Sequence, residues 1–490
     1  MTSDVLIVRA RPGETRIARV DTHNHLKDYA VYRTAVGEDL GQVGGVYVGR
    51  VKAVLPALEA AFVDIGVGRD GFLGIAEARP QPHMGGQAAN DRISDYVHEG
   101  QTVLVQINVA ARDDKGPKIS SRISMAGAHS ILTPGDPGVR VSKRVSDDQE
   151  RARLRAIVLG KLSGDVGCVL RSGAMGVAEK IIGLEIELLL SLWMDLKKRS
   201  DAIKPPCFLS GQNSFPVQFL SEGGFSGVSK IVVDDPIVAQ TVEAELRALG
   251  VTPNDGVVRH QGGGDVFVDL GLADDVDGIL DPCVNLKSGG SLIIEETAAL
   301  TSIDVNAGRA SGRNGRGQDL SLSTNIEAVW EAAKQMRLRN LAGLVVMDLM
   351  PVRGQDAMGR IVNTMKEALR HDPTGPHVLG TTSGGLLEIT RPRRRPPLSH
   401  ILLGPCKTCA FGRSETPLTV GLKALDKVLS EVWASPALIP ALRANPVVVT
   451  ALKTEGQNAL TEMENKLGHV LDLIGDEHLS VATFYVEAER

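Results

Sequence analysis

Two stretches near the N-terminus, the apolar run Val5-Leu6-Ile7-Val8 and the alternating segment from Thr15 to Val20, predict an antiparallel pair of strands within residues 1–38. From 39 to 121 the pattern changes to short strands punctuated by glycine, such as Val46-Tyr47-Val48-Gly49-Arg50-Val51 and Ala60-Ala61-Phe62-Val63-Asp64-Ile65-Gly66, with no helical period between them. Regular short strands of this kind predict a small barrel. Residues 122–216 mix both periods and include a leucine-rich helix from Leu184 to Lys198, bounded by Pro205-Pro206. Residues 217–280 predict a strand at Lys230 to Asp234, a helix from Ile237 to Leu249 and a further strand at Asp265 to Asp269. The opening strands are too short to stand alone. They are expected to pair with this region, with residues 39–216 inserted between.

Residues 281–400 carry the most informative pattern. A turn, Leu286-Lys287-Ser288-Gly289-Gly290, leads into Leu292-Ile293-Ile294, whose expected partner is the run Ser302-Ile303-Asp304-Val305-Asn306. Thr324-Asn325-Ile326-Glu327 is expected to open a helix with Ile326, Val329, Trp330, Ala333 and Met336 on its apolar face. A second apolar run with one acid, Leu344-Val345-Val346-Met347-Asp348-Leu349, follows it. The segment Thr390 to Pro397 reads as a stiff basic linker whose four arginines would suit a polyanion. Residues 401–415 hold Cys406-Lys407-Thr408-Cys409. Residues 416–490 form a small α/β tail with helices expected around Leu422 to Val432 and Leu460 to Ile474.

At 490 residues the chain exceeds what one hydrophobic core serves, and its pattern is that of an α/β multidomain protein. A net charge of −5 provides no global basic field, so polyanion binding would have to be local. No apolar run approaches a membrane span and the first residues lack the features of a signal peptide, so a cytoplasmic location is the expectation. Five cysteines spread over this length argue against a disulfide framework. Cys168, Cys207 and Cys283 read as small core residues. Cys406 and Cys409 have the spacing of half a zinc site, completed either by His400 or another residue, or by a second copy of the chain; two free thiols are the plainer reading.

Asp304 and Asp348 interrupt runs that otherwise look buried, where an unpaired carboxylate is costly and needs a cation, a donor or water. With Asn306 they would make a hard oxygen site suited to Mg²⁺; alternatively each acid caps a strand or turn or pairs with an arginine, and Arg309, Arg313 and Arg316, which follow directly, could either neutralise the acids or hold phosphates beside them. Period-two alternation puts Phe62 and Phe72 on the polar faces of barrel strands, either as a platform for stacking bases or as completion of the core. Lys52, Arg69, Lys115, Lys118 and Arg122 are candidate phosphate contacts, or scattered surface charges. Arg171-Ser172-Gly173-Ala174, after the strand-like Gly167 to Leu170, would form either a single-phosphate pocket or an ordinary turn.

Taken in order, the barrel, Arg171-Ser172, the Leu286–Gly290 turn, Ile303-Asp304-Val305-Asn306, Thr324–Ala328, Gln335-Met336-Arg337-Leu338-Arg339-Asn340, Asp348 and the CxxC resemble the bacterial ribonuclease E/G family, with a length closest to its ribonuclease G branch. The resemblance runs over nearly the whole chain. It implies a split ribonuclease H-like domain (1–38 and 217–280), an inserted OB-fold RNA-binding domain (39–121), a 5′-sensor region (122–216), a deoxyribonuclease I-like catalytic domain (281–400), a zinc-link (401–415) and a small C-terminal domain (416–490). It implies an endoribonuclease cutting single-stranded RNA to 5′-phosphate and 3′-hydroxyl ends. Asp304 and Asp348 would hold Mg²⁺ with Asn306 in support, and Phe62, Phe72 and Lys115 would contact RNA. Arg171 and Ser172 would sense a 5′-monophosphate, with serine where the family usually has threonine. Cys406 and Cys409 would share a structural Zn²⁺ with a second protomer in a homodimer, or in a tetramer built from it.

Three segments depart from the family pattern. Asp348-Leu349-Met350 runs straight into Pro351-Val352-Arg353, a shorter turn with one carboxylate fewer; Thr382 to Glu388 lacks the usual arginine and phenylalanine; and the zinc-link lacks its proline. The shortened turn keeps a second reading open, an RNA-binding relative with weak or no catalysis. A metal-dependent hydrolase of small phosphate esters is a third, and it would have no use for the barrel aromatics.

Overall fold

The computed structural model describes residues 3–33, 43–78, 92–109, 111, 116–162, 164–210, 214–223, 227–262, 264–307, 317–352, 354–393, 395–405, 413–435 and 437–488. The chain forms two compact units. One gathers Met1–Gly37, Ser229–Pro236 and Val257–Arg490; the other gathers Glu38–Val228 and Ile237–Gly256.

In the first unit the opening segment makes three strands, Asp4–Arg11, Glu14–Val20 and Leu26–Arg33. They continue a five-stranded sheet whose other members are Val228–Val233, beside Asp4–Arg11, and Val257–Arg259 at the edge. The opening strands therefore pair with chain more than two hundred residues later, which makes the intervening segment an insertion. Asp265–Asp269 differs from its expected strand. Asp265 accepts from Phe267 N and caps a short helix, Val266–Asp269, that buries Val266 and Phe267 against this sheet.

A six-stranded sheet follows in the same unit, in the order Cys283–Asn285, Ser291–Glu296, Leu300–Asn306, Gly343–Asp348, Leu387–Arg391, His377–Thr381. Leu300–Asn306 and Gly343–Asp348 run parallel, joined through the helix Gly317–Leu338. That helix starts earlier than expected, so Thr324 and Asn325 lie inside it and are fully buried rather than capping it. Ala328, Val329, Ala332, Ala333 and Met336 pack on the sheet, whereas Trp330 falls off this stripe and is 50% exposed. In the tail, Gly468 ends the helix Gln457–Leu467 with a left-handed φ of 78°. Asp472–Gly475, expected as helix, is instead a strand beside Pro440–Ala444, with Phe484–Ala488 on the other side.

The second unit holds a closed barrel. Val46–Leu55, Ala60–Asp64, Gly71–Gly74, Lys118–Ser120 and Thr102–Val109 pair in that order, and the last returns to the first. Its interior is Tyr47, Val51, Ala61, Val63, Ile65, Leu73, Val105, Ile107 and Ile119. A four-stranded sheet, Gly138–Val141, Val166–Leu170, Ser130–Pro134 and Met125–Ala126, packs with the helices Asp148–Leu159 and Glu179–Ala202. Among the described residues no helix is long and apolar enough to cross a membrane.

Buried ion pairs tie the first unit's opening sheet together. Glu14 accepts from Arg16 Nε at 2.6 Å and from Arg33 Nε at 2.8 Å, and Arg33 also reaches Ile401 O and Thr419. Burial raises the Glu14 pKa, but the two guanidiniums outweigh it and bring it from 4.5 to about 2. A carboxylate depressed in this way contributes stability above its ordinary pKa, and that contribution is lost as pH falls from 4.5 towards about 2. The whole contribution is on the order of 3 kcal/mol. Urea midpoints measured between pH 6 and pH 2.5 are expected to fall more steeply for the wild-type protein than for Glu14→Gln, which starts less stable and lacks this titration.

Candidate functional site

The parallel register of the six-stranded sheet sets Asp304 directly opposite Asp348. Neighbouring strands lie about 4.8 Å apart, so the two acids share one small region at the C-terminal ends of their strands. Alternation turns Ile303, Val305 and Met347 into the core, and the acids and Asn306 to the other face. Asn306 Nδ2 donates to Asp304 Oδ2 at 2.7 Å, holding that carboxylate in one orientation. Among the described residues nothing donates to Asp348, and no group of three or more His, Cys, Asp or Glu side chains is arranged around a point. The donor set is therefore two carboxylates and an amide open to water. That fits Mg²⁺, which is held through one or two carboxylates and keeps several waters, better than Zn²⁺.

The motifs around the acids do their work through the backbone. Asn325 Nδ2 donates to Met350 O at 2.8 Å, and Met350 N donates to Asn325 Oδ1 at 3.0 Å. This reciprocal pair, with Asn325 0% exposed, clamps the shortened turn two residues after Asp348 to the crossing helix. Gly290 lies where an added Cβ would sit 2.6 Å from Asn306 O, so the Leu286–Gly290 turn can approach the end of the Asp304 strand only with glycine there. Glu327 accepts from Ser288 N in the same turn. Asn340, at φ 51°, donates to Arg395 O and Pro396 O and accepts from Arg391. Arg391 is no part of a polyanion surface. It ends the strand Leu387–Arg391, is 5% exposed, and is paired with Asp372 at 2.8 Å, which holds the Asp372 carboxyl below the usual range against the opposing effect of burial.

On the barrel, Phe62 and Phe72 are cross-strand partners. Their rings are 5.9 Å apart at 73°, half-buried, on the face opposite Ala61, Val63 and Leu73. They do not belong to the barrel core. Lys118 pairs in register with Phe72 and is exposed beside it. Lys52, by contrast, is engaged by Asp70 at 2.8 Å and Asp64 at 3.4 Å. An aromatic pair with adjacent cations can stack bases and contact phosphates. Lys115 lies outside the described residues.

Arg171 follows the strand Val166–Leu170 and Ser172 begins a single 3₁₀ turn, Ser172–Ala174. The Arg171 guanidinium donates to Gly127 O at 3.2 Å and Glu222 O at 3.4 Å, and the Arg171 main-chain N–H donates to His129 O at 2.8 Å. Two carbonyls thus fix the plane of its fork. Cys406 and Cys409 lie outside the described residues, as do Arg309, Arg313, Arg316 and Arg353. Cys168 is a buried core residue, and burial pushes its thiol up to about 12, whereas Cys207 is half-buried and Cys283 exposed, contrary to expectation.

The Asn325 clamp went unread in the sequence, although the motif containing it stood out. Replacing Asn325 by Ala leaves the N–H and carbonyl of the half-buried Met350 without their partner. The expected loss of stability is about 2–4 kcal/mol, read from the urea midpoint against Leu349→Met as a volume-conserving control in the same turn.

The model of the ribonuclease E/G family matches residues 124–394. Ribonuclease G of Haemophilus influenzae is 31% identical over 94% of this chain and 95% of its own length, and ribonuclease G of Escherichia coli K12 is 30% identical over 96% of each. Ribonuclease E of E. coli K12 is 30% identical over 83% of this chain and 38% of its own length. The residues that build the acid pair, its turn and its crossing helix all lie within the matched segment, and this chain belongs to the ribonuclease E/G family.

Proposed function

We propose that this protein is an endoribonuclease of RNA processing or decay, which hydrolyses single-stranded RNA at the Asp304–Asp348 pair to leave 5′-phosphate and 3′-hydroxyl ends. The observation that carries the reading is the register-opposed pair of acids, with Asn306 bonded to one of them, in a chain of this family. Asp304 and Asp348 would hold Mg²⁺, which when bound supplies Lewis acidity toward phosphate oxygens and lowers the pKa of water. Asn306 keeps Asp304 oriented, and the carboxylates, Asp348 exposed and Asp304 half-buried near their strand ends, leave room for a phosphodiester. Phe62 and Phe72 provide the stacking platform for unpaired bases, with Lys118 beside them and Lys115 as a further phosphate contact. Arg171 and Ser172 receive a terminal 5′-monophosphate. Cys406 and Cys409 supply half of a Zn²⁺ site shared between protomers of a homodimer, from which a tetramer can be built.

The shorter turn after Asp348 does not displace the acid, because Asn325 grips Met350 and Leu349 is buried in the core. This supports catalysis over an RNA-binding role alone.

Single-stranded RNA separates the readings. Asp304→Asn and Asp348→Asn are expected to lose at least about 100-fold in Mg²⁺-dependent cleavage while still binding the RNA. Phe62→Ala and Phe72→Ala are expected to weaken binding by roughly 1–3 kcal/mol each. Undiminished cutting by the Asp variants would sink the proposal, and unchanged RNA affinity in the Phe variants would favour a small phosphate ester as substrate. Metal analysis is expected to find about half a zinc per chain, with a smaller assembly after Cys406→Ser; one zinc per chain would mean a self-contained site.

A further inference from the structure

Glu185, on the helix Glu179–Ala202, is 3% exposed and belongs to no motif that pointed to function. A buried carboxylate is retained at this cost only when its lone pairs are met. Here they are met from one short loop. Glu185 Oε1 accepts from His129 N at 3.0 Å, Ser130 N at 2.9 Å and Ser130 Oγ at 2.6 Å, and Oε2 lies 2.8 Å from His129 Nδ1. Nothing in the helix itself requires an acid at this position; a leucine would extend the apolar face formed by Ile182, Ile186 and Leu189.

The loop gripped by Glu185 is the one that holds Arg171. Gly127 O accepts from the Arg171 guanidinium, and His129 O accepts from the Arg171 N–H. Gly127 N in turn donates to Ser130 O, which closes the loop on itself. Glu185 also presses on Gly127 directly, since a Cβ there would come within 2.3 Å of Glu185 Oε1. The carboxylate thus holds the 127–130 loop through His129 and Ser130, and the same loop holds the guanidinium through Gly127 O.

We infer that Glu185 is the positioning residue of the 5′-phosphate pocket: it sets the 127–130 loop, the loop aims the Arg171 fork, and the preference for a 5′-monophosphorylated end depends on it. This rests on the assignment of Arg171 and Ser172 to 5′-end recognition. Glu185 touches no substrate in this account. Its effect is confined to substrates that present a terminal phosphate.

The test compares cleavage of one single-stranded RNA carrying either a 5′-monophosphate or a 5′-hydroxyl, in Mg²⁺, by the full-length wild-type protein and by Glu185→Ala, Glu185→Gln and Gly127→Ala. The wild type is expected to favour the monophosphorylated RNA. Glu185→Ala and Gly127→Ala are expected to lose about tenfold of that preference through a raised KM, with kcat and the rate on 5′-hydroxyl RNA unchanged. Glu185→Gln keeps the shape and the Ser130 contacts and is expected to retain most of the preference. The 5′-hydroxyl rate doubles as the folding control, and Gly127→Ala carries the test if Glu185→Ala does not fold. A wild-type preference that survives in the folded Ala variants overturns the role of Glu185 and leaves the Arg171 pocket standing. A wild type that cuts both RNAs equally removes the pocket, and the inference with it.

Discussion

The parallel pairing of Leu300–Asn306 with Gly343–Asp348 is the constraint on which the rest depends, because it holds two carboxylates across from each other. Carboxylates on residues about 5 Å apart near a protein surface repel by something on the order of 3 kcal/mol. The fold sustains this by placing both at strand ends, where water reaches them, and by making the backbone under them hard to move. Five apolar side chains of the crossing helix pack on the sheet beneath, and the acids cannot drift apart without opening that core. A cation between them would relieve the repulsion that the strand pairing imposes.

Buried polar side chains, rather than more apolar packing, settle the details. Asn325 joins helix to turn, Arg391 joins a strand end to Asp372 and Asn340, and Glu185 joins a helix to the loop under Arg171. Each is nine-tenths or more buried, and each satisfies main-chain or side-chain groups that a hydrophobic residue would leave orphaned. Such contacts are directional, so they choose one backbone path where apolar packing would accept several. That explains why the motifs flanking the acids contain so many amides and arginines whose partners are carbonyls rather than substrates. Arg337 is different: it is half-buried, and it meets Asp28 of the opening sheet as an ion pair at 3.1 Å.

Some of this was legible in the chain. Alternation located the barrel strands and put Phe62 and Phe72 outside their core, and the apolar runs around Asp304 and Asp348 did become strands. Local pattern failed where a polar side chain had a distant partner. Thr324 and Asn325 look like a helix start and are interior, because Met350 satisfies Asn325 from another element. Asp265 to Asp269 looks like a strand and is a capped helix turn, and residues 472–475 continue a helical pattern yet pair as a strand after Gly468 ends the helix. Arg391 resembles the other arginines of its basic run, with nothing nearby in the chain to announce Asp372.

Residue order alone was enough to say that two acids and an amide stood on adjacent apolar runs, that a barrel carried two phenylalanines on the polar faces of its strands, and that the set resembled one family of ribonucleases. Those features are local, set by side-chain period and spacing within a few residues. Which acid faces which, where Asn325 and Glu185 find their partners, and that the first strands join a sheet completed more than two hundred residues later are matters of register between distant segments. Register depends on how whole elements pack against one another, since a one-residue slip would turn Asp304 and Asp348 into the core and bring Ile303 and Met347 out. The opening pair of carboxylates is thus a property of the folded sheet, although each acid is plain in the chain.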